Sequence, residues 1–282
     1  MKFSRQDAEV FVPDGAPAAA ALARTTHLCI GAHQDDIEIM AWPGIAECRG
    51  RPDAAFTGVV VNDGAGSPRT GAFAGHSDEQ MKAVRREEQR AAARLGGYAA
   101  VVQLAHPSAV IKDAARPDVV QDLAVLLAGM SPRTVYLHNP ADKHDTHVAV
   151  FLRSLAALRA LPRARRPARV YGCEVWRDLD WLLDADKAVL DASADPRLAH
   201  ELLAVFASQV AGGKRYDLAT AGRRLAHATF HQAHAADGAQ ALIWAMDLTP
   251  LVHDEALDVE AFTLGYVDRL RADIAGRLRR FR

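Results

Sequence analysis

The chain has 282 residues, 50% of them hydrophobic and 24% charged, a composition that supports a sizeable core and excludes disordered and collagen-like classes. Its 34 lysines and arginines against 35 acidic residues leave a formal charge of -1, without the positive field of a dedicated nucleic-acid binder. The cysteines Cys29, Cys48 and Cys173 have neither zinc nor redox spacing, and they suit reduced, buried thiols in a cytoplasmic protein.

At the N-terminus, Asp7, Glu9 and Asp14 precede the alanine patch 16–23, where a secretory signal would be basic. No apolar run approaches the roughly 18 residues of a spanning helix, so no membrane segment is expected. Apolar runs then alternate with helical patterns, the signature of βαβ units around a mostly parallel sheet with helices on both faces. His27 to Ala32 reads as a buried first strand and Phe56 to Val61 as a second, with a short helix near 45–49 between them. A turn-rich loop, Asn62 to Arg69, follows.

The clearest helix is 78–95: Ser77 and Gln80 form a capping box, Asp78 and Glu79 occupy the first turn, and Gly96 stands as the stop. Strands at 101–104, 134–137 and 170–175 alternate with helices at 118–128 and 147–161. Past Asp180 the pattern weakens to helices near 199–208 and 217–228, a strand at 241–248 and an amphipathic helix from Asp258. The last carries Val259, Phe262, Val267, Leu270, Ile274, Leu278 and Phe281 at near-helical steps, which suits packing or self-association. One domain over 1–282 is expected, with its core at about 25–180 and 181–282 as an α/β extension forming a substrate rim.

Ligands of parallel α/β sheets collect beyond the carboxyl ends of the strands. The first strand runs into His33-Gln34-Asp35-Asp36, and the fourth through His138 and Asp142 into His144-Asp145-Thr146-His147. Two three-residue spacings, His33 to Asp36 and His144 to His147, set each pair on one side of a turn. Two imidazoles and one carboxylate leave a fourth position open, as in a catalytic zinc site. The best-fitting set is His33, Asp36 and His147, with Asp35 and His144 free for proton transfer. The same set tolerates iron or manganese.

The string Ala32-His33-Gln34-Asp35-Asp36-Ile37-Glu38 resembles the A-H-P-D-D-x-E motif of the PIG-L/LmbE-like de-N-acetylases, and His144 to His147 resembles that family's second motif, H-x-x-H. The loop Asn62-Asp63-Gly64 and the helix segment Arg86 to Ala92 are similar too, so the likeness spans about 25–180. It implies a Rossmann-like fold and zinc-dependent removal of an N-acetyl group, typically from an N-acetylglucosamine-type molecule. By motif position His33, Asp36 and His147 would bind zinc, Asp35 would be the general base, and His144 would polarise the carbonyl or stabilise the oxyanion. Gln34 stands where the family usually has proline, which would stiffen the turn.

Substrate contacts are expected from Arg69 in the glycine-rich loop, from Glu174 and Trp176 at the end of a strand, and from His234. Glu38, Arg86 and Glu87 are candidate supports for the ligating imidazoles. Two other readings share the fold or the ligands: a catalytically silent sugar-binding protein, and a non-haem iron enzyme using the same triad. A nucleotide-binding module is disfavoured, because neither G-x-G-x-x-G after the first strand nor a Walker sequence occurs.

Overall fold

The computed structural model describes every residue, Met1–Arg282. Eight strands, β1 (Glu9–Phe11), β2 (His27–Gly31), β3 (Phe56–Asn62), β4 (Ala100–His106), β5 (Thr134–His138), β6 (Arg169–Cys173), β7 (Ala188–Asp191) and β8 (Leu242–Asp247), form one sheet in the order β1-β4-β3-β2-β5-β6-β8-β7. The five strands β4, β3, β2, β5 and β6 run parallel, giving the expected Rossmann-like centre. β1 joins one edge antiparallel, and β8 and β7 extend the other in antiparallel steps.

The parallel strands are buried on both sides, so their sequences read as continuous apolar runs. Leu28 and Ile30 of β2 pack with Val59, Val102 and the helices Asp118–Ala128 and Asp145–Arg159. Cys29, between them, points the other way with Val60, Trp42, Ile45 and Ala92. All three cysteines are buried and free.

Element boundaries shift where capping chemistry outweighs pattern. The helix Asp78–Gly96 has its capping box, but it runs through Gly96 and ends on Gly97 at φ 67°. A Cβ on Gly96 would lie 2.5 Å from the Tyr98 ring, so the first glycine gives space and the second gives the left-handed turn. The helix expected from His147 begins at Asp145, which places His147 in its first turn. β1, with three residues, and β7, with four, are too short for a periodic signal. The alanine patch is the helix Ala18–Ala23. The final helix, Val259–Arg280, buries Tyr266 and packs Val259 and Phe262 on the core, while Ile274, Leu278 and Phe281 are exposed. No helix is long and apolar enough to cross a membrane.

β2 pairs with β3 on one side and with β5 on the other. The chain leaves β2 toward β3 and leaves β5 toward β6, in opposite directions across the sheet, so a crevice opens beyond the carboxyl ends of β2 and β5.

Candidate active site

Four residues after β2 turn the chain sharply. Gly31 is needed there, since a Cβ would lie 3.0 Å from that of Asp36. Asp35 has φ 98°, a costly backbone for a residue with a side chain, held where the turn enters the helix Asp36–Met40. The His33 N–H donates to Asp36 Oδ2 at 2.6 Å and fixes that carboxylate. From the other side, the Ala32 N–H donates to His138 Nε2 at 2.9 Å, tying β2 to the end of β5.

The loop after β5 is organised by Asp142. Its Oδ1 accepts the His144 N–H at 3.0 Å, and its Oδ2 lies 3.2 Å from His147 Nδ1 and accepts the Trp176 N–H at 3.2 Å. Such a carboxylate sets the imidazole tautomer and leaves Nε2 of His147 free to face the crevice.

His33 Nδ1, Asp36 Oδ2 and His147 Nε2 converge there, with separations of 3.1, 3.3 and 3.5 Å. Donors about 2.0–2.1 Å from a tetrahedral zinc stand about 3.4 Å apart, so the three atoms fit one face of such a site. His144 also comes close enough to His33 and His147 to share a cation, and His138 Nε2 lies 3.4 Å from Asp36 Oδ2. His138, however, has its Nε2 engaged by Ala32.

The charge states suit a cation. Burial pushes the Asp36 carboxyl up, but His147 and His138 beside it outweigh that and hold it well below the usual carboxylate range. Burial, reinforced by His138, brings His147 down to about 4, and burial with His33 lowers His144. Ionised carboxylate and neutral imidazole are the forms that bind metal. Burial raises Asp35 to about 7 against the pull of Arg85, whose Nη2 lies 3.1 Å from Asp35 Oδ2.

His33, Asp35, Asp36 and His144 floor a cavity of about 710 Å³, with His147 buried beneath them, Arg85, Trp176 and Tyr216 in its walls and Lys112, Lys143 and Lys214 around it. Trp176 thus lies where the sequence suggested, and its ring stacks 6.1 Å from that of His144. Three other expected contacts lie elsewhere. Arg69 is paired with Asp78 and donates to Ala65 O at 2.8 Å, which staples the loop to the helix behind it. Glu174 is buried behind the wall, accepting the Leu179 and Trp244 N–H groups at 2.6 and 3.2 Å, because the strand-end polarity serves the backbone there. His234 sits in an exposed turn and lines no part of the cavity.

The supports also differ from expectation by helical phase. Arg86 donates to Asp7 O and Glu87 pairs with Arg90, both away from the site. The inward face carries Met81, Arg85, Glu88, Gln89 and Ala92. Their three- and four-residue steps are visible in the sequence, and following that stripe would have chosen Arg85. Glu38 accepts from Gln89 Nε2 and the Tyr98 hydroxyl and touches no ligating imidazole; burial raises it to about 8. Gln34 points away from the cavity, donating to Gln103 Oε1 and Asn62 O at 3.3 Å. These bonds, with Arg85 on its carbonyl, brace the turn that proline would stiffen.

Comparison with known proteins agrees with the motifs. Residues 28–158 match the PIG-L family, described as GlcNAc-PI de-N-acetylase. No curated protein matches the chain. Among solved structures, the conserved protein TT1542 from Thermus thermophilus superposes with a TM-score of 0.63 at 19% identity, covering 83% of this chain and 99% of that one. N,N'-diacetylchitobiose deacetylase from Pyrococcus horikoshii gives 0.59 at 17% identity, over 79% and 84%. GalB, the 4-carboxy-2-hydroxymuconate hydratase from Pseudomonas putida, gives 0.60 at 20%, over 79% and 96%. At these identities the superpositions establish a common fold, and the family match establishes that the chain carries a PIG-L domain over residues 28–158.

Proposed function

We propose that the protein is a metal-dependent N-deacetylase that hydrolyses the acetamide of an N-acetylglucosamine-type sugar or a related glycoside. The observation that carries this reading is the convergence of His33 Nδ1, Asp36 Oδ2 and His147 Nε2 within 3.5 Å of one another, beside Asp35 and His144. The membership of residues 28–158 in a de-N-acetylase family supports it. When bound to these donors, zinc, or iron or manganese in its place, supplies Lewis acidity toward the acetamide carbonyl and acidifies a water.

The protein's own groups do the rest. Asp35, raised to about 7, has the strength of a general base near neutral pH and takes the proton of the attacking water. His144, kept neutral by burial and by His33, donates an N–H to the oxygen that gains charge as the carbonyl carbon becomes tetrahedral. Asp35 then delivers its proton to the departing amine. Arg85 orients Asp35, and Trp176 and Tyr216 offer aromatic faces to a sugar ring. Lys214 and Tyr216 bring the C-terminal part into the cavity wall, so the chain acts as one catalytic unit over 1–282. The buried free thiols suit a reducing, cytoplasmic setting, and the exposed stripe of the last helix suits self-association.

A second reading, addition of water to a carboxylated substrate, is favoured by Lys112, Lys143 and Lys214. They border the cavity with no carboxylate partner, and a hydratase of a carboxylated compound shares the fold. Metal analysis of the wild type and His147→Ala, together with acetate release from N-acetylglucosamine glycosides, tests both. About one metal ion per chain, lost in the variant, and acetate release are expected. A wild type that stays metal-free in the presence of zinc would overturn the mechanism. Metal without acetate release would favour the hydratase reading.

A further inference from the structure

A second cleft, of about 620 Å³, lies between the helices Pro196–Ala204 and Tyr216–Phe230 and the chain leading into β8. It shares no lining residue with the catalytic cavity. Ala199, Leu203, Ala221 and Leu225 make it largely apolar, yet Arg224 also lines it and is only 5% exposed.

Arg224 has no carboxylate partner. Its Nη2 donates to Glu38 O and Ile39 O at 2.9 and 3.1 Å, closing the last carbonyls of the helix Asp36–Met40. Its Nε is buried without a partner, and no protein group accepts from Nη1. Capping that helix therefore uses one nitrogen of a five-donor fork, strands Nε and leaves Nη1 without a protein acceptor. Burial pulls the guanidinium down to about 9 against the more distant pull of Glu174, still charged at neutral pH. A buried cation of this kind is costly until an anion reaches it.

We propose that this cleft binds a monocarboxylate with an apolar body, its carboxylate on Arg224 and its chain along Leu203 and Ala221. The planar fork matches a carboxylate, and the volume is that of a small-ligand site. Two carboxylates also line the cleft, Asp237 and Asp217, the latter bound by Arg215 at 2.8 and 3.0 Å, and they disfavour a dianion such as phosphate more than a monoanion. This proposal is independent of the reaction assigned to the catalytic cavity.

Calorimetric titration of the full chain with decanoate, and with decanol as its uncharged counterpart, tests it. One saturable decanoate site is expected, with decanol at least tenfold weaker. Two variants at exposed positions locate the site without touching Arg224. Ala221→Trp should fill the cleft and abolish decanoate binding at an unchanged Tm. Leu225→Asp, at a position 60% exposed, should weaken decanoate about tenfold and decanol little. Equal affinity for acid and alcohol, wild-type affinity in Ala221→Trp, or no binding up to millimolar concentration would each overturn the assignment.

Discussion

The cluster at the ends of β2 and β5 and the cluster around Glu174 are built from the same residue types but use their lone pairs differently. Both carboxylates are buried, and both have a histidine beside them, at 3.3 Å for the half-buried His33 and Asp36 and 3.4 Å for the buried His227 and Glu174. At Glu174 each oxygen receives a backbone N–H, from Leu179 and from Trp244, and the His227 ring stacks 3.7 Å from that of Trp244. At the first cluster Asp142 engages the far side of His147, and three donor atoms are left facing one another under a cavity. Buried histidine and carboxylate therefore do not make a site by themselves. The free direction of their lone pairs does.

Five substitutions sharpen that contrast. Asp35→Asn should lower acetate release by about a thousandfold while metal content stays near one, because it removes the base and no ligand. Loss of metal in this variant would move Asp35 into the ligand set. His144→Ala should cost about a hundredfold in kcat with metal retained, as for one oxyanion donor; an emptied site would exchange the roles of His144 and His147. Asp142→Asn should weaken metal affinity about 10–100-fold, read by competition with a chelator, since it supports His147 without touching the cation.

Glu174→Ala should leave metal affinity unchanged but destabilise the fold by about 2–4 kcal/mol in urea unfolding, from two stranded N–H groups. The same carboxyl gives a pH signature. Burial raises it to about 7 from an ordinary 4.5, so the native state holds a proton that the unfolded chain has released. Its contribution is full below pH about 4.5 and is lost as pH rises to about 7, a change of about 3 kcal/mol. Glu174→Gln should flatten that slope. A slope unchanged in Glu174→Gln would mean that the glutamate is ionised in the fold.

Much of the parallel centre was legible because buried parallel strands are continuous apolar runs and the helices between them carry their own end signals, the capping box of Ser77 with Gln80, and Asp118 in the first turn with Gly129 at the far end. The pairs His33/Asp36 and His144/His147 were legible because each lies directly after such a strand. Arg85 was missed by one position, about 100° of helix rotation, which separates the inward face from the solvent. Tyr216 had no local signal: it reaches the cavity only through packing of a helix far along the chain. Glu174 and His234 were judged by residue type, whereas backbone pairing and exposure decided their surroundings.

The strand order has a consequence for how the molecule is made. β7 pairs only with β8, and β8 alone joins it to β6. During vectorial synthesis the parallel centre can close as soon as β6 has emerged. β7 must wait about fifty residues for its only partner, and until then β6 presents an open edge. The wall that carries Tyr216 is thus set in place last, after the strand that anchors it has left the ribosome, so a stalled or truncated chain would hold the catalytic motifs on an unfinished, association-prone sheet.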